Sequence, residues 1–130
     1  MAIYGVAQSG PNITSPGLNV AVLYPGDPYT LFDGTETVAS NLKSVAIQRG
    51  PSPAAGDNGI SFYAKGMASD MIIDIQGAPR DVEAEYTTLW QITADASGLG
   101  AYTDIGRALC YRAVISTYTS GTMPTLKVQR

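Results

Sequence analysis

The sequence predicts an all-β protein: an antiparallel β-sandwich, jelly-roll-like or immunoglobulin-like, with about eight short strands and little or no helix. Short stretches in which apolar and polar residues alternate recur along the chain. Clusters of Gly, Pro, Asn, Asp and Ser separate them at intervals of about 8–12 residues, the spacing of strands in such folds. The 130 residues fit one domain, residues 1–130, with enough chain to bury a hydrophobic core.

Composition predicts a folded protein with a mostly neutral surface. Hydrophobic residues make up 45% of the chain and charged residues 15%, where about a quarter is usual for charged residues. Because disordered chains combine low hydrophobicity with high net charge, this composition argues against disorder. It also indicates that much of the surface is polar and uncharged, or is buried against neighbours.

The alternating stretches define the predicted strands. Their ranges are 2–8, 18–24, 29–32, 43–49, 60–65, 71–76, 86–93, 109–118 and 125–130. In the stretch 18–24, the more apolar face is predicted to carry Val20 and Val22. In the stretch 43–49, Val45 and Ile47 are predicted to share one face.

Turn-forming residues set the predicted connections. The longest loop is 50–59, a break is expected at 77–81, and a glycine-rich loop at 94–101. Residues 80–89 have helical spacing, but Thr87, Thr88 and Trp90 favour a loop that leads into the strand 86–93. The last two strands are predicted to form a β-hairpin joined by the turn 119–124.

The chain lacks the residues that common catalytic and metal sites need. It has no histidine, which argues against a Ser-His relay and an ordinary zinc site. Its single cysteine, Cys110, lies in an apolar run and is expected to be a buried free thiol. Neither a P-loop nor a Gly-x-Ser-x-Gly elbow is present. We therefore expect no enzymatic activity, no cofactor and no metal ion.

The densest group of charges is acidic and lies between positions 70 and 85. Its members are Asp70, Asp74, Asp81, Glu83 and Glu85. A glycosidase places two carboxylates across a sugar, and a pair among these residues would fit that pattern. The simpler expectation is a solvated surface, with Asp74 pointing outward from its strand.

Charge and hydropathy bear on partners and location. The eight Lys and Arg residues are scattered and the net charge is −3, so we expect no nucleic-acid partner. No stretch approaches the roughly 20 apolar residues of a membrane helix, and residues 1–4 do not begin a secretory leader. We expect synthesis in a reducing compartment and no membrane partner.

Aromatic residues are the most informative for binding. Eight tyrosines and one tryptophan are spread over strands and loops. Such rings suit a protein interface or a sugar-binding platform, because they bury area at low entropic cost. Half-buried core positions are their commoner use. The candidate interface residues are Tyr4, Tyr29, Trp90, Tyr102 and Tyr118.

Residues 60–130 contain a recognisable order of motifs. It runs MIIDIQG at 71–77, YTTLWQIT at 86–93, GAY at 100–102 and YRAVISTYTSGT at 111–122. This order resembles small β-sandwich structural proteins from the virions of tailed bacteriophages, such as capsid decoration (cement) proteins. It is more weakly similar to discoidin-like sandwiches. Gly77-Ala78-Pro79 departs from the lectin pattern, so no binding residues are carried over.

The resemblance implies a non-enzymatic viral structural protein, above all a phage capsid decoration (cement) protein that binds the shell exterior and stabilises it by bridging subunits. Its partner would be the major capsid protein of the same virion. By analogy it would form a homo-oligomer, a trimer, on the virion surface after assembly in the host cytoplasm. Residues 1–16 would be an N-terminal arm that reaches a neighbour. The alternatives are a carbohydrate- or receptor-binding module of a virion and a head–tail or tail component.

Overall fold

Nine β-strands in two packed sheets make up most of the described chain. The computed structural model describes residues 21–23, 28–49, 59–104, 108–119 and 121–130. The strands are β1 Ala21–Val22, β2 Tyr29–Asp33, β3 Ile47–Gln48, β4 Ile60–Lys65, β5 Ile72–Ala78, β6 Thr87–Thr93, β7 Leu99–Asp104, β8 Cys110–Thr117 and β9 Thr125–Gln129. The helical content of the described residues is one 3-10 turn, Glu83–Glu85. The predicted all-β sandwich is therefore confirmed.

The sheets have the connectivity of a jelly roll. One sheet has the order β1-β3-β8-β5-β6 and the other β2-β9-β4-β7. β2 pairs with β9, β3 with β8, β4 with β7 and β5 with β6, all antiparallel. The chain from β2 to β9 is thus one long hairpin, with its tip between β5 and β6, rolled into two layers. Of the two predicted sandwich types, this is the jelly roll rather than the immunoglobulin type.

The last two strands do not form the predicted C-terminal hairpin. β8 lies between β3 and β5 in the five-stranded sheet, whereas β9 lies between β2 and β4 in the other sheet. The segment 118–124 therefore crosses from one layer to the other. An isolated hairpin is marginally stable in water, while strands in facing layers bury their apolar sides against each other.

The hydrophobic core lies between the inner faces of the two sheets. Its largest fully buried side chains are Phe32, Ile47, Ile60, Phe62, Met71, Ile73, Ile75, Ile92, Tyr111, Ile115 and Leu126. The alternation predicted for 60–65 and 71–75 is confirmed. In β4, for example, Phe62 is fully buried while Tyr63 is exposed.

The face predicted for the stretch 43–49 is wrong. Val45 is 55% exposed, whereas Ile47 is fully buried. Lys43 makes only an isolated bridge to Val114, and the regular strand is limited to Ile47–Gln48. The backbone between Lys43 and Ile47 is not a continuous strand, so side chains there need not alternate between the two faces of the sheet.

The face predicted for the stretch 18–24 also differs where it is described. Ala21 and Leu23 are buried and Val22 is only partly buried. Ala21 pairs with Ile47 of β3, in parallel orientation, and this pairing turns Ala21 and Leu23 toward the core. The rest of that stretch lies outside the described residues, as do residues 50–58, the predicted strand 2–8 and the predicted arm 1–16.

β5 extends two residues into the predicted break at 77–81 and ends at Ala78. At Gly77, an added Cβ would lie 2.7 Å from both Ala108 Cβ and Leu89 Cδ1. The glycine therefore permits close packing inside a strand and does not form a turn. The loop after residue 78 leads through the 3-10 turn into β6, as the sequence predicts for 80–93.

Candidate interaction surface

The five predicted interface residues have different environments. Tyr4 lies outside the described residues. Tyr29 and Tyr118 are partly buried and pack against the core, as does Tyr102. Trp90 is 54% exposed. Of the four described candidates, Trp90 therefore offers the most surface to a partner.

Trp90 and Tyr102 belong to a stack of aromatic rings at one flank of the sandwich. Trp90 stands on β6 and Tyr102 on β7, and their ring centroids are 5.5 Å apart at an interplanar angle of 11°. Tyr102 also stacks on buried Phe62, with centroids 6.3 Å apart. Since β6 and β7 are the edge strands of different sheets, the stack closes the flank and leads from the core to the surface.

The outer face of the four-stranded sheet carries mostly small, neutral side chains and two lysines. We name it the lysine face. Its side chains are Thr30, Asp33, Ser61, Tyr63, Lys65, Leu99, Ala101, Thr103, Thr125, Lys127 and Gln129. Tyr63, in the middle, is 61% exposed and has Lys127 and Ala101 as its cross-strand neighbours.

The charge on the lysine face is slightly positive although the protein is acidic overall. Lys65 and Lys127 are exposed, and the carboxylate described on this face is Asp33 at the rim. Asp33 accepts hydrogen bonds from the Thr35 hydroxyl at 2.6 Å and the Thr35 backbone N–H at 2.9 Å. These bonds lower the pKa of Asp33. The surface around Tyr63 thus carries a slight positive charge from Lys65 and Lys127 among mostly neutral side chains.

The sequence pattern did not single out Tyr63 as an interface residue. The signal was nevertheless there, because alternation in β4 places Tyr63 on the side opposite Phe62. A large aromatic residue on the solvent side of a strand is the informative exception among exposed apolar residues.

The outer face of the five-stranded sheet is, by contrast, covered and centred on Arg112. Arg112 points outward from β8, yet it is only 7% exposed. Its Nη1 and Nη2 donate to the two carboxylate oxygens of Glu83 at 2.8 and 2.7 Å, and its Nε donates to Gln76 at 2.8 Å. The guanidinium carbon lies 3.9 Å from the ring centroid of Tyr86. Arg112 therefore fastens the 3-10 turn to the sheet.

The predicted acidic cluster is tied into this covered face. The Tyr86 hydroxyl donates to Asp81 at 2.7 Å, and Glu85 pairs with Arg80 at 2.7 Å. Burial and the bond to Asp81 raise the pKa of Tyr86. Asp74, which points outward as predicted, has its own partners. They are Gln91 at 3.0 Å, Ser116 at 2.8 Å and Thr88 at 3.5 Å.

Glu83 lacks the property that the general acid of a glycosidase needs. Hydrogen bonds from Arg112 lower the pKa of Glu83 to about 2, and the general acid of a glycosidase needs a raised pKa. Among the described residues, no group of three or more His, Cys, Asp or Glu side chains is placed to hold a metal ion. The cluster acts in structure, as a set of cross-strand and turn contacts.

Removing the Glu83 carboxylate should reduce stability in a pH-dependent manner. The folded pKa of about 2 lies below the unfolded value of about 4.3. The carboxylate therefore stabilises the fold above the unfolded pKa, and this contribution is lost as the pH falls toward 2. We expect Glu83→Gln to unfold at lower urea concentration than the unsubstituted protein near neutral pH, with the two midpoints converging in acid.

Asp70→Asn is the matched control for this measurement, because Asp70 is an exposed carboxylate in the turn before β5. It should leave the urea midpoint unchanged near neutral pH. A Glu83→Gln deficit that stays constant from neutral to acidic pH would contradict the assigned role of the carboxylate.

A cavity of about 490 Å³ opens at the end of the sandwich where β5 ends and β6 begins. Its lining is Arg49, Gly77, Ala78, Pro79, Glu85, Thr87, Leu89, Ala108 and Leu109. Arg49 Nε donates to the Ala108 carbonyl at 3.2 Å, and Glu85 is paired with Arg80. Both charged groups of the lining are therefore already engaged within the protein.

Cys110 is buried and free, as predicted. Burial raises the pKa of its thiol, which keeps the thiol protonated and unreactive. No helix in the described part of the chain is long and apolar enough to cross a membrane. Comparisons with known protein families, with curated proteins and with solved structures found no match.

Proposed function

We propose that this protein is a non-enzymatic structural component of a tailed-phage virion, a decoration (cement) protein that binds the outside of the capsid shell. The jelly-roll connectivity is compatible with this role, since viral capsid proteins and lectins both use it. A fold does not decide a function, so the choice between these two roles depends on the surface.

The observation that carries the proposal is the position of Tyr63. A sugar-binding module would concentrate exposed aromatic residues on its loops. The described turn between β6 and β7, residues 94–98, contains none. Tyr63 instead stands in the middle of a sheet face whose other side chains are mostly small and neutral, with Lys65 and Lys127 beside it, an arrangement that suits a broad protein contact. Tyrosine at the centre of such a contact is a frequent energetic hot spot.

The proposed mechanism is mechanical. The lysine face would seat on the major capsid protein, and one copy, or a symmetric oligomer, would span two shell subunits. A specific contact needs about 800 Å² of surface on each partner. Because the protein would bind the assembled shell and not its unfolded subunits, binding would raise the melting temperature of the shell.

Substituting Tyr63 should therefore weaken shell binding without unfolding the protein. We expect Tyr63→Ala to reduce the affinity for purified capsid shells by about tenfold or more, the usual scale for losing a hot-spot aromatic residue. Co-sedimentation with shells measures the binding, and scanning calorimetry measures the shell melting temperature with and without the protein.

Val45→Ala is the matched control, since Val45 is 55% exposed and belongs to the other sheet layer. It should bind shells as the unsubstituted protein does. If the unsubstituted protein neither binds shells nor raises their melting temperature, the decoration proposal fails.

The second candidate is a carbohydrate- or receptor-binding module. The exposed ring of Trp90, 54% accessible, favours it because such rings stack against sugars. Binding on a glycan array that is abolished by Trp90→Ala would establish this alternative. Binding to tail or connector particles instead of shells would point to the third candidate, a head–tail or tail component.

A further inference from the structure

We infer that β6 is a docking edge for a second copy of this chain, and that two copies join through antiparallel pairing of their β6 strands. The inference concerns the free protein in solution. Its success or failure is therefore separate from shell binding, and from the trimer that the family resemblance implies.

The edge of β6 lacks the usual protection against pairing. Among the described strands, β6 is the outermost of the five-stranded sheet, and it reads TTLWQIT, with no charged residue and no proline. Five of its seven residues are exposed. Edge strands of soluble proteins are normally short or carry charges, prolines or bulges that prevent pairing. Without such features, their free N–H and C=O groups can pair with a strand of another chain.

The edges on the opposite flank are protected in this way. β1 has only two residues. β2 has an irregularity between Thr30 and Phe32 and ends on Asp33. β6 has a register shift too, at Leu89, but Trp90–Thr93 beyond it is regular. The contrast between the flanks leaves β6 and β7 as the candidate edges. Because β7 ends on the charged Asp104, the outer part of β6 is the uncharged one of the two.

The neutral charge of this flank fits a second copy as the occupant of the edge. The protein carries a net charge of −3, so two copies repel one another over most approaches. Between residues 87 and 103 the single charged residue is Asp95, which caps the β6–β7 turn by accepting from the backbone of Ser97 and Leu99. A twofold contact brings identical patches together, and here it would place no like charges opposite each other.

Side-chain alternation restricts the register. Residues directly opposite each other in an antiparallel pair share a face, so a twofold axis can pass through Gln91. In that register, Trp90 lies opposite Ile92 of the second copy. Aromatic and β-branched residues in opposed positions stabilise a sheet. The exposed part of the Trp90 ring would then be covered, and the sheet would continue across ten strands.

The experiment uses sedimentation velocity across a range of protein concentrations. We expect a monomer–dimer equilibrium in the unsubstituted protein. Gln91→Lys should weaken it by about tenfold or more, because the two lysines would face each other across the axis. Gln91 is exposed, so the fold should be retained. Val45→Lys is the matched control, because Val45 is exposed and lies beside β3, far from β6 in the strand order.

Two measurements on the unsubstituted protein also test the pairing of β6 with β6. Trp90 is the sole tryptophan, so its fluorescence should shift to shorter wavelength as the dimer forms. Hydrogen exchange at β6 amides should slow with rising protein concentration. A protein that is monomeric at every concentration, or a dimer weakened equally by Gln91→Lys and Val45→Lys, would overturn the inference.

The competing occupant of the edge is the N-terminal segment of a neighbouring copy. Val6→Pro, in the predicted strand 2–8, tests this because proline cannot donate to a ladder. Loss of the dimer in Val6→Pro, with an intact dimer in Gln91→Lys, would assign the association to the arm and refute pairing of β6 with β6.

Discussion

Replacing Phe62 with alanine should lower the free energy of unfolding by about 3–5 kcal/mol. Phe62 is fully buried at the centre of the core. Its ring lies 5.8 Å from that of Tyr111 and 6.3 Å from that of Tyr102, measured between centroids. Truncation removes these contacts and leaves a cavity between two sheets whose backbones are fixed by their ladders, so the site can collapse only partly.

Urea unfolding followed by circular dichroism measures this loss, and the adjacent position supplies the control. Tyr63→Ala removes an aromatic ring from the same strand, but on the exposed side, and should cost well under 1 kcal/mol. Equal destabilisation by the two substitutions would mean that the assigned inner and outer faces of β4 are wrong. If Tyr63→Ala is stable, a loss of shell binding in this variant can be assigned to the binding surface and not to unfolding.

Replacing Gly100 with alanine should destabilise the protein by about 1–3 kcal/mol, the usual cost of overpacking. Gly100 lies on the inner face of β7. A Cβ there would lie 2.8 Å from the Thr93 carbonyl oxygen and 3.1 Å from the Met67 sulfur, and would also contact the Ile92 methyl group. The Thr93 oxygen belongs to the β6 backbone, so it cannot move without displacing that edge strand.

Thermal unfolding measures the effect of Gly100→Ala, with Ala101→Val as its control. Ala101 is the next residue and is exposed on the lysine face, so the valine adds more atoms at a site with room for them. An unchanged melting temperature in Gly100→Ala would contradict the close approach of β6 and β7. A loss in both variants would indicate an effect on strand β7 itself and not on its packing.

Local patterns predicted most strands where a single face is buried, but they missed β7, Leu99–Asp104, because its first residues belong to the predicted glycine-rich loop 94–101. The stretch 60–65 alternates cleanly, and β4 occupies those residues. Near Val45 the same reasoning fails, because a residue in an irregular segment need not follow the alternation of the strand beside it. At Gly77 it fails for another reason. Glycine usually marks a turn, and only the three-dimensional neighbours show that this one makes room for Leu89 and Ala108.

Long-range features could not be read from the sequence. The two last strands are separated by a short turn-rich segment, which usually predicts a hairpin, yet they belong to different layers. The Trp90–Tyr102 stack likewise joins two sheets. The spacing of residues along the chain predicts contacts within a strand or hairpin, so it could not predict this stack. Arg112 was one of eight scattered cations, and its burial depends on Glu83 and Gln76 arriving from other parts of the chain.

The rolled hairpin also determines when this protein can fold. β9 lies between β2 and β4 and pairs with both, so that Tyr29 near one end of the described chain meets Val128 near the other. During synthesis on the ribosome, β2 and β4 emerge long before the strand that joins them. Closing such long loops costs entropy before the contacts are gained, and chains dominated by distant pairings fold in about milliseconds to seconds. The four-stranded layer must therefore form after β9 has emerged, and its unpaired strands need protection from aggregation until then.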